Sequence, residues 1–556
     1  MESSPPPLPS QRFCWLRAFL SLGLLVIALV LSSVVISRSL NRIEPEPLPS
    51  RVIPEEGLSI LERIDREFET AWEKDQIESA PEADELTLIR RLSLALTGAP
   101  PSLEEIQQFQ QLPELADPVQ SWLDHLFDDP RYHQYFAERL ARAYVGVEPG
   151  PFLVYRRRRL VNWLAEELAV NRPYDEIVRS LVASEGLWTT HPEANFVTVA
   201  IVDGDGKNRP DPIKLAARTS RAFLGVSLDC MQCHDDKFGD HWKQEHFHEL
   251  AAFYAQTEMG LTGLREARSR EYEIELLGDT EPTQMSPRPP FGPELLPDGG
   301  SRRERLAQWI THEENEAFAR ATVNRIWGLL LGRPLTSPVD DIALEGPYPV
   351  GLEKMANLFR RENHNLQGLI RVIAGSTAFH RASASDLPES PITQAQEQAW
   401  AAFPITPLRS EQVAGAVIQS SSLQAIDHSS HIIHRFRRFG ETQDFVKRYG
   451  DQGEAEFLET AGTIPQRLLL MNGKFVAERT QPNPIMNSAT RLANYAPSGE
   501  AAIEAAFLAT LTRKPTLAEK AHFASLLSDK KGKARERAME DVYWALINST
   551  EFSWNR

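Results

Sequence analysis

The sequence predicts a mainly α-helical protein in which two helical domains follow an N-terminal transmembrane helix. From about residue 58 onward, apolar residues recur at helical spacing. Runs that alternate apolar and polar residues are few, and the clearest candidate strand is 196–202. An uncharged apolar run at 18–37 precedes this helical body.

The run at 18–37 is the predicted membrane anchor. Its twenty residues, rising about 1.5 Å each in a helix, would span about 30 Å, the thickness of the hydrocarbon core. The run is longer than the apolar part of an ordinary signal peptide, which favours an uncleaved anchor. We therefore assign 1–17 to a cytoplasmic tail, 18–37 to a single span and 38–75 to a linker that begins rich in proline and acid.

Proline and glycine are concentrated at 278–300, and both interrupt helices. We expect this segment to be an exposed linker between two helical domains, 76–277 and 301–556. In the first domain, helices are predicted to begin near Leu86 and at the capping box Ser102–Glu105, and to cover 119–144, 156–170, 174–185, 211–227 and 241–256. In the second they are predicted at 301–331, 350–378, 409–422, 464–480, 499–511, 516–528 and 535–549.

The strongest chemical signal is the sequence Cys-Met-Gln-Cys-His at 230–234. C-x-x-C-H is the attachment signature of c-type haem: Cys230 and Cys233 would add across the haem vinyl groups, and His234 would be the proximal iron ligand. Two other interpretations stay open. The same residues could bind zinc, or they could be structural thiols or a disulfide.

A sixth iron ligand is harder to choose. Met285 and Met259 offer a thioether, and Met285 is ranked first because it lies in a proline-rich segment that could fold over a haem face. His241 or His248 would instead give a bis-histidine centre. Because haem c is attached outside the cytoplasm, the motif also implies that the body is exported, with the cytoplasmic membrane as its location.

Charge, cysteine content and the motifs that are missing argue against several other classes of protein. The net charge is -17, which repels phosphate backbones and argues against a nucleic-acid partner. Three cysteines in an exported chain of this length do not make a disulfide framework. We find no nucleophile elbow, phosphate-binding loop or dinucleotide fingerprint. No catalytic residue is therefore assigned.

Several long segments resemble a two-domain planctomycete family of unestablished function, with a cytochrome-c-like N-terminal domain and a planctomycete-specific C-terminal domain. The resemblance covers about 75–556 and lies in LTGAPPSLEEI, NRPYDEIVRSLV, RAFLGVSLDCMQCHDDKF, RLAQWITHEENEAFARATVNRIWGLLLGRPLTSPVDD, LIRVIAGSTAFHRAS, IPQRLLLMNGKFV and ALINSTEF. The family usually continues the motif as C-H-D-H-P, where this chain has Asp236 and Lys237.

The hypothesis that follows is a membrane-anchored haem c protein with a redox partner, acting in electron transfer or a redox-linked step. One alternative is a scaffold or interaction protein without haem, in which the motif binds zinc or packs. Another is a polysaccharide-associated hydrolase, which rests only on the sulfatases and carbohydrate-degrading enzymes that often neighbour members of the family.

Overall fold

The computed structural model describes residues 55–113, 117–147, 150–151, 154–201, 209–237, 242–383, 392–426, 464–483 and 487–556, with Phe445 and Phe457. These residues are mostly helical, as predicted. The predicted tail and transmembrane helix lie outside them. Within these ranges, no helix has the length and apolar character needed to cross a membrane.

The first half of the described chain contains ten α-helices and four short strands. The helices are α1 Glu55–Asp75, α2 Glu85–Thr97, α3 Leu103–Phe109, α4 Pro118–Asp128, α5 Pro130–Val145, α6 Arg157–Ala169, α7 Tyr174–Ala183, α8 Asn195–Thr198, α9 Pro212–Thr219 and α10 Gln244–Ala251. The strands form two antiparallel hairpins, β1 Thr257–Gly260 with β2 Gly263–Glu266, and β3 Tyr272–Ile274 with β4 Thr283–Met285.

The described part of the second half is helical apart from one short strand pair. Its helices are α11 Arg302–Ile310, α12 Glu316–Leu331, α13 Leu352–Arg361, α14 Leu366–Gly375, α15 Thr377–His380, α16 Gln394–Gln398, α17 Ser410–Ser420, α18 Ile464–Asn472, α19 Lys474–Thr480, α20 Ser488–Tyr495, α21 Gly499–Leu511, α22 Leu517–Leu527 and α23 Lys533–Ile547. Strand β5 Thr406–Pro407 pairs with β6 Trp554–Asn555.

Helix α1 differs from the sequence assignment. Residues 55–75 were placed in the linker, but they form a helix that belongs to the body. Ile64 and Phe68 on its inner face are fully buried, and the Phe68 ring stacks on Trp327 of α12 at a centroid distance of 5.7 Å. This apolar stripe supplies the burial that stabilises the helix.

Two other predicted elements were wrong. The single helix at 119–144 is two helices, because Pro130 disfavours helical geometry at Asp129, and the Asp129 carboxylate caps α5 by accepting from the Arg131 amide. In place of the strand predicted at 196–202, residues 196–198 belong to helix α8, and residue 202 lies outside the described residues. All four residues of α8 are buried, so an alternating pattern there does not mark an exposed and a buried face.

Helices from both sides of 278–300 pack together. Helix α12 is buried along nearly its whole length and contacts α2, and α11 packs on α7. By its contacts the described chain belongs to one compact unit. The segment 278–300 is mostly exposed, although Met285 within it is buried. The division into two domains at this segment stays a prediction.

A C-terminal core joins α17 and α20–α23. Its centre is made of fully buried side chains such as Phe507, Met539 and Tyr543, and Leu94 of α2 also belongs to it. The N-terminal helix α2 therefore contributes to the packing of the C-terminal helices. Burial of these side chains contributes roughly 1.5–3 kcal/mol each.

Candidate functional site

The C-x-x-C-H sequence forms one tight turn, called here the motif turn (229–234). A 3-10 helix at Asp229–Gln232 carries it, and the Cys233 amide donates to the Cys230 carbonyl at 3.3 Å. Side chains three residues apart lie on the same side of a 3-10 turn. Cys230 and Cys233 are free and exposed, whereas Met231 between them is buried and anchors the turn. Both thiols are thus accessible to solvent.

His234 is half-buried, and one ring nitrogen is already engaged. Its Nδ1 lies 2.8 Å from the backbone carbonyl oxygen of Asp235. A carbonyl only accepts, so this contact requires the proton on Nδ1 and leaves the lone pair on Nε2. Metal-binding histidines are commonly held in this way, with the second nitrogen donating to a carbonyl.

The start of α10 supports the motif turn through polar contacts. The carboxylate of Asp235 accepts from the Gln244 amide at 2.8 Å, and the Gln244 side chain donates to the Gln232 carbonyl at 3.2 Å. The Asp236 amide donates to the Trp242 carbonyl at 2.9 Å. These bonds fix the backbone on both sides of His234.

His248 is a partner of this turn and is not a free ligand. It is 1 % exposed, its Nε2 lies 3.1 Å from the Gln232 carbonyl oxygen, and its Nδ1 lies 2.9 Å from the Tyr272 hydroxyl. A neutral imidazole that donates from Nε2 accepts from Tyr272 at Nδ1. Burial lowers the pKa of His248, although the bond to Gln232 opposes this, and the ring is favoured in its neutral form. Iron binding by His248 would require breaking one of these bonds.

The two methionines predicted as sixth ligands lie on the two hairpins. Met285 is buried on β4, where it pairs with Tyr272, whose hydroxyl contacts His248. Met259 is half-buried on β1, in the other hairpin. His241 lies outside the described residues. Strand pairing with Tyr272 and the bonds of Tyr272 to His248 and of His248 to Gln232 connect β4 to the motif turn, and the role of Met285 as a ligand stays a prediction.

The chain before the motif turn is held by the second half of the protein. A π-helical turn at Ser220–Leu224 leads towards the motif, and Arg325 of α12 donates to the Ala222 carbonyl at 2.6 Å. The Ile342 amide donates to the Gly225 carbonyl at 2.8 Å. Gly225 has a φ of 62°, and an added Cβ would lie 3.0 Å from two neighbouring side chains, so only glycine suits this position.

Among the described residues, no pre-formed metal centre is found at the motif turn. Within the described residues, one group of three metal-binding side chains has its ligand atoms in mutual reach, and this group is Glu105, His125 and Asp129. Arg131 pairs with both of these carboxylates. Burial raises the pKa of Glu105, but the charge of Arg131 together with the contacts from His125 and Ser102 outweighs burial, so the pKa is lowered. The guanidinium thus supplies the positive charge there, and we interpret the group as a structural ion pair.

Two family models match the chain. Residues 63–259 match PSCyt2 and residues 302–454 match PSD1, both described as proteins of unknown function. The matches support a planctomycete two-domain family of unknown function. The motif turn lies inside the PSCyt2 match, and 278–300 lies between the two. Comparisons with the curated proteins and with solved structures give no match.

The PSD1 region donates hydrogen bonds to the PSCyt2 region just before the motif turn. Arg325 and Ile342 of the PSD1 region contact the backbone at Ala222 and Gly225 of the PSCyt2 region. Sequence reasoning missed these two residues and also Gln244 and Tyr272. Nothing local to the motif indicates them.

We expect His248→Ala to loosen the motif turn. The substitution removes a buried donor to Gln232 and leaves the Tyr272 hydroxyl without its acceptor, which costs about 1–3 kcal/mol. Amide hydrogen exchange across 229–234 should become faster than in the wild type. His191→Ala, at an exposed histidine, is the matched control and should leave that exchange unchanged. Unaltered protection in the His248 variant would contradict the supporting role.

Proposed function

We propose that this protein is a membrane-anchored, exported haem c protein that serves in electron transfer or a redox-linked step. The observation that carries the proposal is the motif turn, in which two exposed thiols are followed by a histidine with its Nδ1 engaged. Cys230 and Cys233 would form the thioether bonds, and Nε2 of His234 would be the axial ligand. A bound haem would supply a one-electron redox couple.

Residues around the motif turn would orient the axial histidine and hold the turn in place. The Asp235 carbonyl sets the tautomer and orientation of His234. Gln244 and His248 both contact the Gln232 carbonyl, in the middle of the motif turn. The turn is therefore organised by contacts that do not involve the cysteine side chains, and both thiols stay available for attachment.

The test is expression of the full chain in a bacterial host with a haem c maturation system, followed by purification in detergent. Haem staining after denaturing electrophoresis and the pyridine haemochrome spectrum should show covalent haem, and metal analysis of the same sample should show iron. Stoichiometric zinc without covalent haem would reject the proposal in favour of the zinc-binding scaffold. Absence of both haem and zinc would favour structural thiols.

A further inference from the structure

A groove lies between α1 and the segment 348–354. Its volume is about 690 Å³, within the range of small-molecule sites. Arg63, Arg66, Thr70 and Lys74 of α1 line it. Spacings of three, four and four residues place these side chains on one face of the helix.

Hydrogen bonds across the groove floor hold its two walls together. The Glu67 carboxylate of α1 accepts from the Gly351 amide at 3.2 Å and pairs with Lys354 at 3.0 Å. The Lys354 ammonium also donates to the Arg63 carbonyl at 3.0 Å. These contacts define the separation of the walls before any ligand binds.

Both carboxylates that line the groove already have a cationic partner. Glu67 pairs with Lys354, and Glu353 pairs with Arg320. Arg320 also lies over the ring of Tyr348, 4.1 Å from its centroid, which holds the aromatic wall in place. The acidic side chains of the lining are therefore neutralised within the protein.

Three cations of the lining have no such partner. Arg63, Arg66 and Lys74 are exposed, and among the described residues none of their side chains forms an ion pair or hydrogen bond. Among the residues of α1 whose burial is described, the other exposed acidic side chains are Glu62, Glu69, Glu73 and Asp75, and they do not line the groove. A positive cleft thus stands out in a chain of net charge -17, and such a cleft concentrates anions.

We propose that this groove binds a small oligoanion, a molecule with two or more phosphate, sulfate or carboxylate groups. Arginine presents forked donors to oxyanions, and Thr70 adds a hydroxyl. From Arg63 to Lys74 the helix rises about 16 Å, so acidic groups at more than one point along a ligand can each meet a cation. A single inorganic anion would use only part of this face.

Calorimetry on the full chain in detergent at low salt tests this site, with inorganic triphosphate, citrate and a disulfated disaccharide as probes. We expect saturable binding of at least one probe, and the tightest one identifies the acidic group. Arg63→Gln with Arg66→Gln should weaken that binding by about tenfold or more. Lys74→Gln, at the far end of the face, should also weaken it.

The matched control is Arg158→Gln with Arg159→Gln, which removes the same charge from exposed positions on α6. It should keep the wild-type affinity, and melting curves should show that both double variants are folded. Three results would overturn the proposal: no binding of any probe, equal affinity in the Arg63 and Arg66 variant, or an equal loss in the control. All of them are independent of whether the protein carries haem.

Discussion

Replacing both Cys230 and Cys233 by serine is expected to abolish covalent haem. Each thiol would provide one thioether bond, and serine cannot form that bond under the same conditions. Both side chains are exposed, so the substitutions remove little packing and the chain should still fold. The measurement is haem staining after denaturing electrophoresis, with circular dichroism to show that helical content is kept.

Two further variants make this result specific. Cys14→Ser changes the third cysteine of the chain and should leave the stained band intact. His234→Ala keeps both thiols, so it should retain covalent haem but change the optical spectrum of the iron, because the proximal ligand is lost. A stained band of wild-type intensity in the Cys230 and Cys233 double variant would show that the motif turn is not the attachment site.

The largest stability effect is expected for Arg303→Met. Arg303 on α11 is fully buried, and its Nε donates to the Glu266 carboxylate at 2.6 Å while Nη1 donates to the Ser184 carbonyl at 2.6 Å. Removing the guanidinium leaves the Glu266 carboxylate buried without its cation. Breaking such a pair costs about 3–5 kcal/mol, which chemical or thermal denaturation would measure.

The neighbouring Arg265 offers a matched control. Its side chain is 59 % exposed and pairs with Glu258 at 2.7 Å. Exposed pairs contribute at most about 1 kcal/mol, so Arg265→Met should cost little. If the partner charge is the cause, adding Glu266→Gln to Arg303→Met should recover part of the loss. Equal stability of the two arginine variants would rule out the buried pair as a major source of stability.

Helix boundaries were predictable where the signals are local. Ser102 and Glu105 form the expected capping box, with side chains that bond each other's backbone amides. Helix α21 has the predicted bounds, and Ser498 caps it through the Ala501 amide. In these cases the free backbone amides of the first turn are hydrogen-bonded by side chains only three residues away in the sequence.

Contacts between distant residues were not predictable. The sequence offered His248 as a candidate iron ligand, but it did not indicate that Tyr272 occupies one ring nitrogen. Arg325 reaches a carbonyl 103 residues earlier in the chain. Such partners depend on how helices pack in three dimensions. The sequence therefore identifies the motif but does not predict which residues surround it.

The bonds from Arg325 and Ile342 to the turn before the motif have an evolutionary consequence. Both accepting carbonyls belong to buried residues, Ala222 and Gly225. A recombination event that removed the PSD1 region would exchange these two bonds for bonds to water, at a net cost of about 0.5–1.5 kcal/mol each. Selection is therefore expected to keep the two regions within one gene, inherited as a pair.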